Sequence, residues 1–259
     1  MHRISITVIL LFLATLFTTY PVSSADLTRE QVVALLKQAT SDKPADLRRK
    51  NLQKVDLSGL DLRHADLWGA DLRYADLSHA NLAGQNLDLT IMRGTDLSGA
   101  NLQGVSIFGV IMIDANLSGA NLKNSRVIAT LDRARLVDAD LENAFWGADM
   151  KNQTMGLMRA SCNKADFTGA KLKNANFNRV LLKFAKLRRA DMDNINLYRA
   201  VLSGADLSGA KLRWADLREA HLDNTDFSGA DLTGVRLEGA LDLDTAKGMK
   251  PKPRIIKVK

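Results

Sequence analysis

Cysteine is nearly missing: Cys162 is the only one in 259 residues. No intramolecular disulfide can form, so stability must come from packing and backbone hydrogen bonds. Proline is scarce too. Pro44, Pro251 and Pro253 flank the middle of the chain, Pro21 lies in an apolar N-terminal stretch, and nothing between them reads as a linker. Histidines are few, and His64, His79 and His221 lie far apart with no metal-ligand spacing, so they read as surface residues. An excess of one charge is also lacking where it would matter. The net charge is +7, but the tail Lys247–Lys259 holds six basic residues and no acid, and the first 25 residues hold Arg3 and no acid. The remaining 29 basic residues balance all 29 acidic ones, so the body is neutral and the basicity says little about what the body binds. With 46% apolar and 25% charged residues, the composition is not that of a disordered chain.

The one long apolar run is Ile4–Phe17, behind Arg3 and ahead of Ser23-Ser24-Ala25. A positive start, a short apolar stretch and small residues before Asp26 are the pattern of an export signal over residues 1–25, cleaved about Ala25/Asp26. The alternative is an uncleaved segment that anchors the chain in a membrane, the one membrane contact expected. No cysteine lies near the cleavage point, which argues against a lipoprotein. The expected location is periplasmic or extracellular.

What the sequence has in abundance is a five-residue period. From Ala65 it reads ADLWG, ADLRY, ADLSH, ANLAG, and from Ala205 ADLSG, AKLRW, ADLRE, AHLDN, TDFSG, ADLTG. With the Leu taken as centre, 17 successive centres run in fives from Leu47 to Val127, all apolar, and 16 more run in the same phase from Cys162 to Leu237. Two before the centre, alanine stands in 20 of these 33 units. A helix repeats its apolar stripe at three and four residues and a strand alternates in twos, so neither accounts for this pattern. Both apolar positions point inward if the chain turns once per unit, the large centre filling the interior and the alanine leaving room for it. Asp or Asn one before the centre faces solvent and bonds to nearby backbone. Glycine two after the centre, as at Gly59, Gly69, Gly99 and Gly204, suits a tight turn.

The units ADLWG, ADLRY, ANLSG and ADLTG resemble the pentapeptide repeat family, over about Ala45 to Ala240. The resemblance implies an all-β solenoid, a right-handed quadrilateral β-helix of four units per coil, with coils stacked at roughly 4.8 Å. Some members of that family inhibit type II topoisomerases by imitating the shape and negative charge of DNA. A neutral body and an export signal disfavour that alternative here, and nucleic acid is not an expected partner.

Four segments follow: the signal at 1–25, a capping helix and linker at 26–44, the repeat at 45–246 and a basic tail at 247–259. Thr28 with Gln31 makes a capping box, Leu27 and Val32 a hydrophobic staple, and Val32, Leu35, Leu36 and Ala39 one face of a helix over Leu27–Ala39 that covers the first coil. Lys50, at an inward position, argues that regular coiling begins near Val55. Between 128 and 157 the phase slips by −1, −1 and +2 through units centred on Leu131, Met150 and Leu157, with Lys151–Gly156 the expected protruding loop. Either one solenoid continues through this stretch or two meet at a hinge.

The repeat explains its own aspartates and places Cys162 at a buried centre, so neither calls for a calcium site or a nucleophile. No catalytic residue, metal site or cofactor is expected. Function should lie where the repeat fails. Ile91, Ile111, Leu181 and Val201 occupy a position that is normally polar. Residues twenty apart stack, which puts Ile91 and Ile111 in one column and Leu181 and Val201 in another. Leu89, Phe108, Ile113 and Ile128 adjoin the first and Phe184 the second. Exposed apolar patches mark contact surfaces. The first is covered either by a partner or by the chain's own irregular segment or helix; the second reads as a surface for a protein partner or for self-association. Lys171, Lys173, Lys183, Lys186, Arg188 and Arg189 form a basic run that meets an anionic envelope surface or stays a solvated face. The reading is a non-catalytic scaffold of the cell envelope that binds a partner through the sides of a rod.

Overall fold

The computed structural model describes residues 24–148 and 158–249. Residues 1–23 of the expected signal, the expected loop Lys151–Gly156 and the tail beyond Met249 lie outside the described residues.

Helix α1 spans Arg29–Leu36. Gln31 donates its backbone N–H to the Thr28 hydroxyl and accepts from the Thr28 N–H, which satisfies two of the helix's unpaired donors. The helix stops three residues short of the expected end. Val32 is fully buried, whereas Leu35 is exposed, so the buried stripe is narrower than the sequence pattern implies. From α1, Arg29 donates to the backbone oxygens of Asp56 and Ser58, and Asp26 exchanges hydrogen bonds with Asn51. Edge carbonyls of the first coil therefore find donors there.

Beyond α1 the chain winds into coils whose rungs pair in parallel, twenty residues apart. Strand β1 (Ala45–Asp46) pairs with β2 (Ala65–Asp66), and single-residue bridges such as Asn51↔Asp71 and Asp56↔Asp76 repeat the same offset. Coiling thus begins at Ala45 rather than near Val55. Lys50 is tolerated inward because it sits in the terminal coil, half-exposed, while its carbonyl accepts from Asp71.

Each corner is a turn in which the third residue after a centre donates back to the centre's carbonyl, as Ala70 does to Leu67 at 2.9 Å. The residue two after the centre takes positive φ (Gly69 at 67°, Arg49 at 55°), as a type II turn requires. Between coils, Leu72 N–H donates to Ile91 and Ile91 N–H to Ala70. Centres and their partners two residues earlier fill one continuous core from Leu47 to Phe227.

Asp or Asn before the centre accepts a hydrogen bond from the backbone N–H two residues on, as Asp56 does from Ser58 at 2.9 Å. The Ser58 hydroxyl and N–H hold Asp56 below the usual carboxylate range; Ser228 does the same for Asp226 and Thr233 for Asp231. Lowered folded-state values mean that the unfolded chain takes up protons first as pH falls. Stability contributed by these groups is present above the unfolded value and lost below about pH 4. The melting temperature is therefore expected to stay nearly level from pH 7 to 5 and to drop below pH 4, as thermal scans across that range would show.

The repeat leaves its phase twice, and the first departure is the expected slip of −1 ahead of Leu131. Strands β3 (Ser106–Ile111) and β4 (Arg126–Thr130) pair with a shift after Phe108, so the offset falls to nineteen residues, as at Asn116↔Arg135. Ile128 is drawn inward there and is buried rather than part of a surface patch. On the next turn Thr130 pairs with Ser161 and Arg135 with Asp166, thirty-one residues on and eleven more than a coil needs. Among the described residues, the next rung after Phe145 is Ser161. The expected units centred on Met150 and Leu157 lie outside the described residues. Between described rungs the offset changes by −1 and then by +11, and a single ladder continues across both. Inside this break Trp146 stacks on Phe177 at 5.3 Å, and Phe167 meets both rings edge-on.

Candidate functional site

The eleven extra residues, less the one deleted earlier, leave ten, which is two whole units. They change which residues share a face. The ladder runs Asp71, Ile91, Ile111, Thr130, Ser161, Leu181, Val201, His221, Leu241 along one side of the solenoid. The two expected apolar columns are therefore one column. Ile111 and Leu181 are separated only by Thr130 and Ser161, three coils or ~14 Å apart at the interstrand spacing.

Ile91 and Ile111 are exposed, and Leu181 and Val201 half-buried. Leu89 is exposed at the corner leading into this face; Phe108 and Ile113 are half-buried beside it. Phe184, 59% exposed, stands at the far corner. Two members were not singled out from sequence: Tyr74, 54% exposed at the same corner as Phe184, and Leu241, which extends the column. A signal for the corner residues does exist. Tyr74 and Phe184 have positive φ and each ring lies over a glycine one coil later, Gly94 and Gly204, where a Cβ would come within 2.6 Å of the ring. A bulky residue followed twenty positions on by glycine marks such a corner, and Trp214 over Gly234 repeats it elsewhere.

Ion pairs border the apolar strip. Arg73 grips Asp71 at 2.6 Å and Arg133 grips Asp114 at 2.7 Å. Burial works to raise the Asp71 pKa, but the hydrogen bonds and charge of Arg73 outweigh it, and the carboxyl lies below its usual range.

The basic run does not form one cluster. Lys183 lies on the apolar face, Lys186, Arg188 and Arg189 on the next, and Lys171 and Lys173 on the one after that. Lys186 pairs with Asp166, Arg188 with Asp206 and Lys171 with Asp140. Nearness in sequence became separation around the coil, with acids from adjacent coils interleaved.

Little else offers chemistry. Cys162 is fully buried, and burial, helped by the charge of Asp132, pushes its thiol far above the ordinary range. His64, His79 and His221 are exposed. Among the described residues no group of His, Cys, Asp or Glu could hold a metal ion, and no helix is long and apolar enough to cross a membrane. A cleft of about 500 Å³ beside the first coils is lined by Arg48, Arg63, His64 and Trp68, but Arg48 is committed to Asp46 and Arg63 to Asp61.

A solenoid of parallel rungs, one five-residue unit per side and twenty residues per coil, defines the class. The sequence profile described as "Pentapeptide repeats" matches in overlapping segments between residues 45 and 124 and between 160 and 241. The chain belongs to the pentapeptide repeat family. Among solved structures it is similar to HetL, a pentapeptide repeat protein involved in heterocyst differentiation regulation in the cyanobacterium Nostoc, at 30% identity over 85% of this chain and 96% of HetL, with a TM-score of 0.39. QnrB1, a plasmid-mediated fluoroquinolone resistance protein, is 21% identical over 72% of this chain and 92% of its own, with a TM-score of 0.47. A pentapeptide repeat protein of the Arabidopsis thaliana thylakoid lumen is 27% identical over 43% of this chain and 68% of its own, with a TM-score of 0.29. No curated protein sequence matches significantly.

Proposed function

We propose that the chain is a non-catalytic scaffold of the cell envelope that holds a protein partner along its apolar face. One observation carries this reading: Ile91, Ile111, Leu181 and Val201 stand in a single ladder, at positions where the repeat elsewhere places Asp or Asn. The core is filled by the centres, so isoleucine or leucine there is not needed to complete it. Exposing them costs solubility unless something covers them. Export follows from the leader pattern around Ile4–Phe17; the coil is taken as right-handed, as the family resemblance implies, and α1 as its N-terminal cap, as the apolar face of that helix implies.

The test is a paired capture. Leu181→Ser with Phe184→Ser alters side chains outside the core, so the melting temperature should move little, within about 0.5 kcal/mol of wild-type stability. Crosslinking capture from the envelope fraction should lose the partner with the variant and keep it with wild type. Equal capture by both, or recovery of the chain with an intact leader in the cytoplasm, would contradict the reading.

A further inference from the structure

Along the apolar face the six central residues, Ile91 to Val201, read alike in both directions, and the likeness ends beyond them, where Asn51 falls opposite Leu241. Counting outward from its midpoint, Thr130 is matched by Ser161, Ile111 by Leu181 and Ile91 by Val201. One step further, Asp71 is matched by His221. A surface whose order is preserved on reversal is self-complementary under a two-fold axis, which is what an isologous dimer interface requires.

We infer that the partner seated on this face is a second copy of the chain, lying antiparallel. This deepens the scaffold reading and rests on the face being a contact surface. With the two-fold axis along the strand direction, each column faces the same column of the other copy, and coils run in opposite order. Ile111 then packs on Leu181 of the second copy and Ile91 on Val201, each pair occurring twice. Thr130 meets Ser161 at the centre, hydroxyl to hydroxyl. Asp71 faces the His221 imidazole at each end. The neighbouring column, two residues along each rung, obeys the same reversal: Arg73 comes opposite Asp223, a cation against a carboxylate, and Ile113 opposite the aliphatic stem of Lys183. A parallel arrangement would instead set each of Asp71, Arg73 and His221 near its own copy. Charge complementarity thus selects the antiparallel order, and it makes a copy of this chain a better fit than an unrelated surface.

The experiment uses full-length protein and two variants that each add one surface cysteine. Native Cys162 is buried and its thiol is held protonated, so an introduced surface cysteine is the reactive one. Sedimentation of the wild-type protein at tens of micromolar should show a dimer, and Ile111→Asp should remove the dimer species while leaving the melting temperature of the single chain nearly unchanged. A short bis-maleimide, reaching about the ~10 Å between packed sheets, should join an equimolar mixture of Ile111→Cys and Leu181→Cys chains into a covalent dimer. Either variant alone should join poorly, because like positions lie three coils apart along the rod. A wild-type monomer at these concentrations overturns the inference; if Leu181→Ser with Phe184→Ser still abolishes capture of another protein, the scaffold reading survives it. Crosslinking of Ile111→Cys alone as readily as the mixture also overturns the antiparallel pairing.

Discussion

Replacing Trp146 by alanine is expected to cost about 3–5 kcal/mol of stability. Its indole is fully buried where the repeat breaks, stacked on Phe177, and its Nε1–H donates to the Ser125 hydroxyl at 3.1 Å. Among the described residues the ladder passes there from Phe145 directly to Ser161. Removing the ring empties the interior at the one junction that the five-residue rule does not build. Stability in a solenoid is approximately a sum of repeat and neighbour terms. A weakened junction should therefore do more than lower the midpoint: the single unfolding transition should broaden or split into two as the halves uncouple. Trp146→Phe keeps a ring against Phe177 and gives up the Ser125 bond, and should cost about 1–2 kcal/mol. Denaturant unfolding followed by circular dichroism reads both. A loss below about 1 kcal/mol for Trp146→Ala would mean that the break is held by something else.

The second large effect separates two glycines that look alike in sequence. Gly94 and Gly104 both follow a centre by two and both have positive φ, 64° and 66°. At Gly104 an added Cβ would meet nothing within 4 Å, so Gly104→Ala should cost only the left-handed backbone penalty, about 1–2 kcal/mol. At Gly94 the Cβ would lie 2.5 Å from the Tyr74 ring. The ring must swing away from a residue that is itself held at positive φ, so Gly94→Ala should cost at least about 1 kcal/mol more than Gly104→Ala. In a Tyr74→Ala background that excess should vanish, which a double-mutant cycle measures directly. Equal costs at the two glycines in the native background would refute the stacked-corner account.

Most of the fold is legible in the residues because packing repeats at a fixed interval. Inward positions and the burial of Cys162 follow from that interval, and the Thr28 capping box from its own three-residue spacing to Gln31. The face assignment does not. Phase in a five-residue pattern reports where a unit begins, but it does not count coils, and a net gain of ten residues restores the phase while rotating everything downstream by half a turn. Ile111 and Leu181 therefore read as belonging to different columns, and only the Thr130↔Ser161 rung puts them together. The basic run fails for a related reason: Lys171, Lys183 and Arg188 are close along the chain, but five residues carry the chain around a corner. Tyr74 was within reach of a pattern search. Its partner glycine lies twenty residues on, and pairing a bulky corner residue with glycine one coil later would have found it.

One ladder crosses the break with an eleven-residue excess, and this makes one apolar face out of two segments. Arg135→Cys with Asp166→Cys tests it away from the proposed dimer surface. These positions are adjacent rungs, so pyrene groups on the two thiols should lie about one interstrand spacing, ~4.8 Å, apart. With labelled chains diluted in excess unlabelled protein, strong excimer emission is expected, lost on unfolding. Monomer emission alone from the folded, doubly labelled protein would place Arg135 and Asp166 on different faces and would contradict the single apolar face.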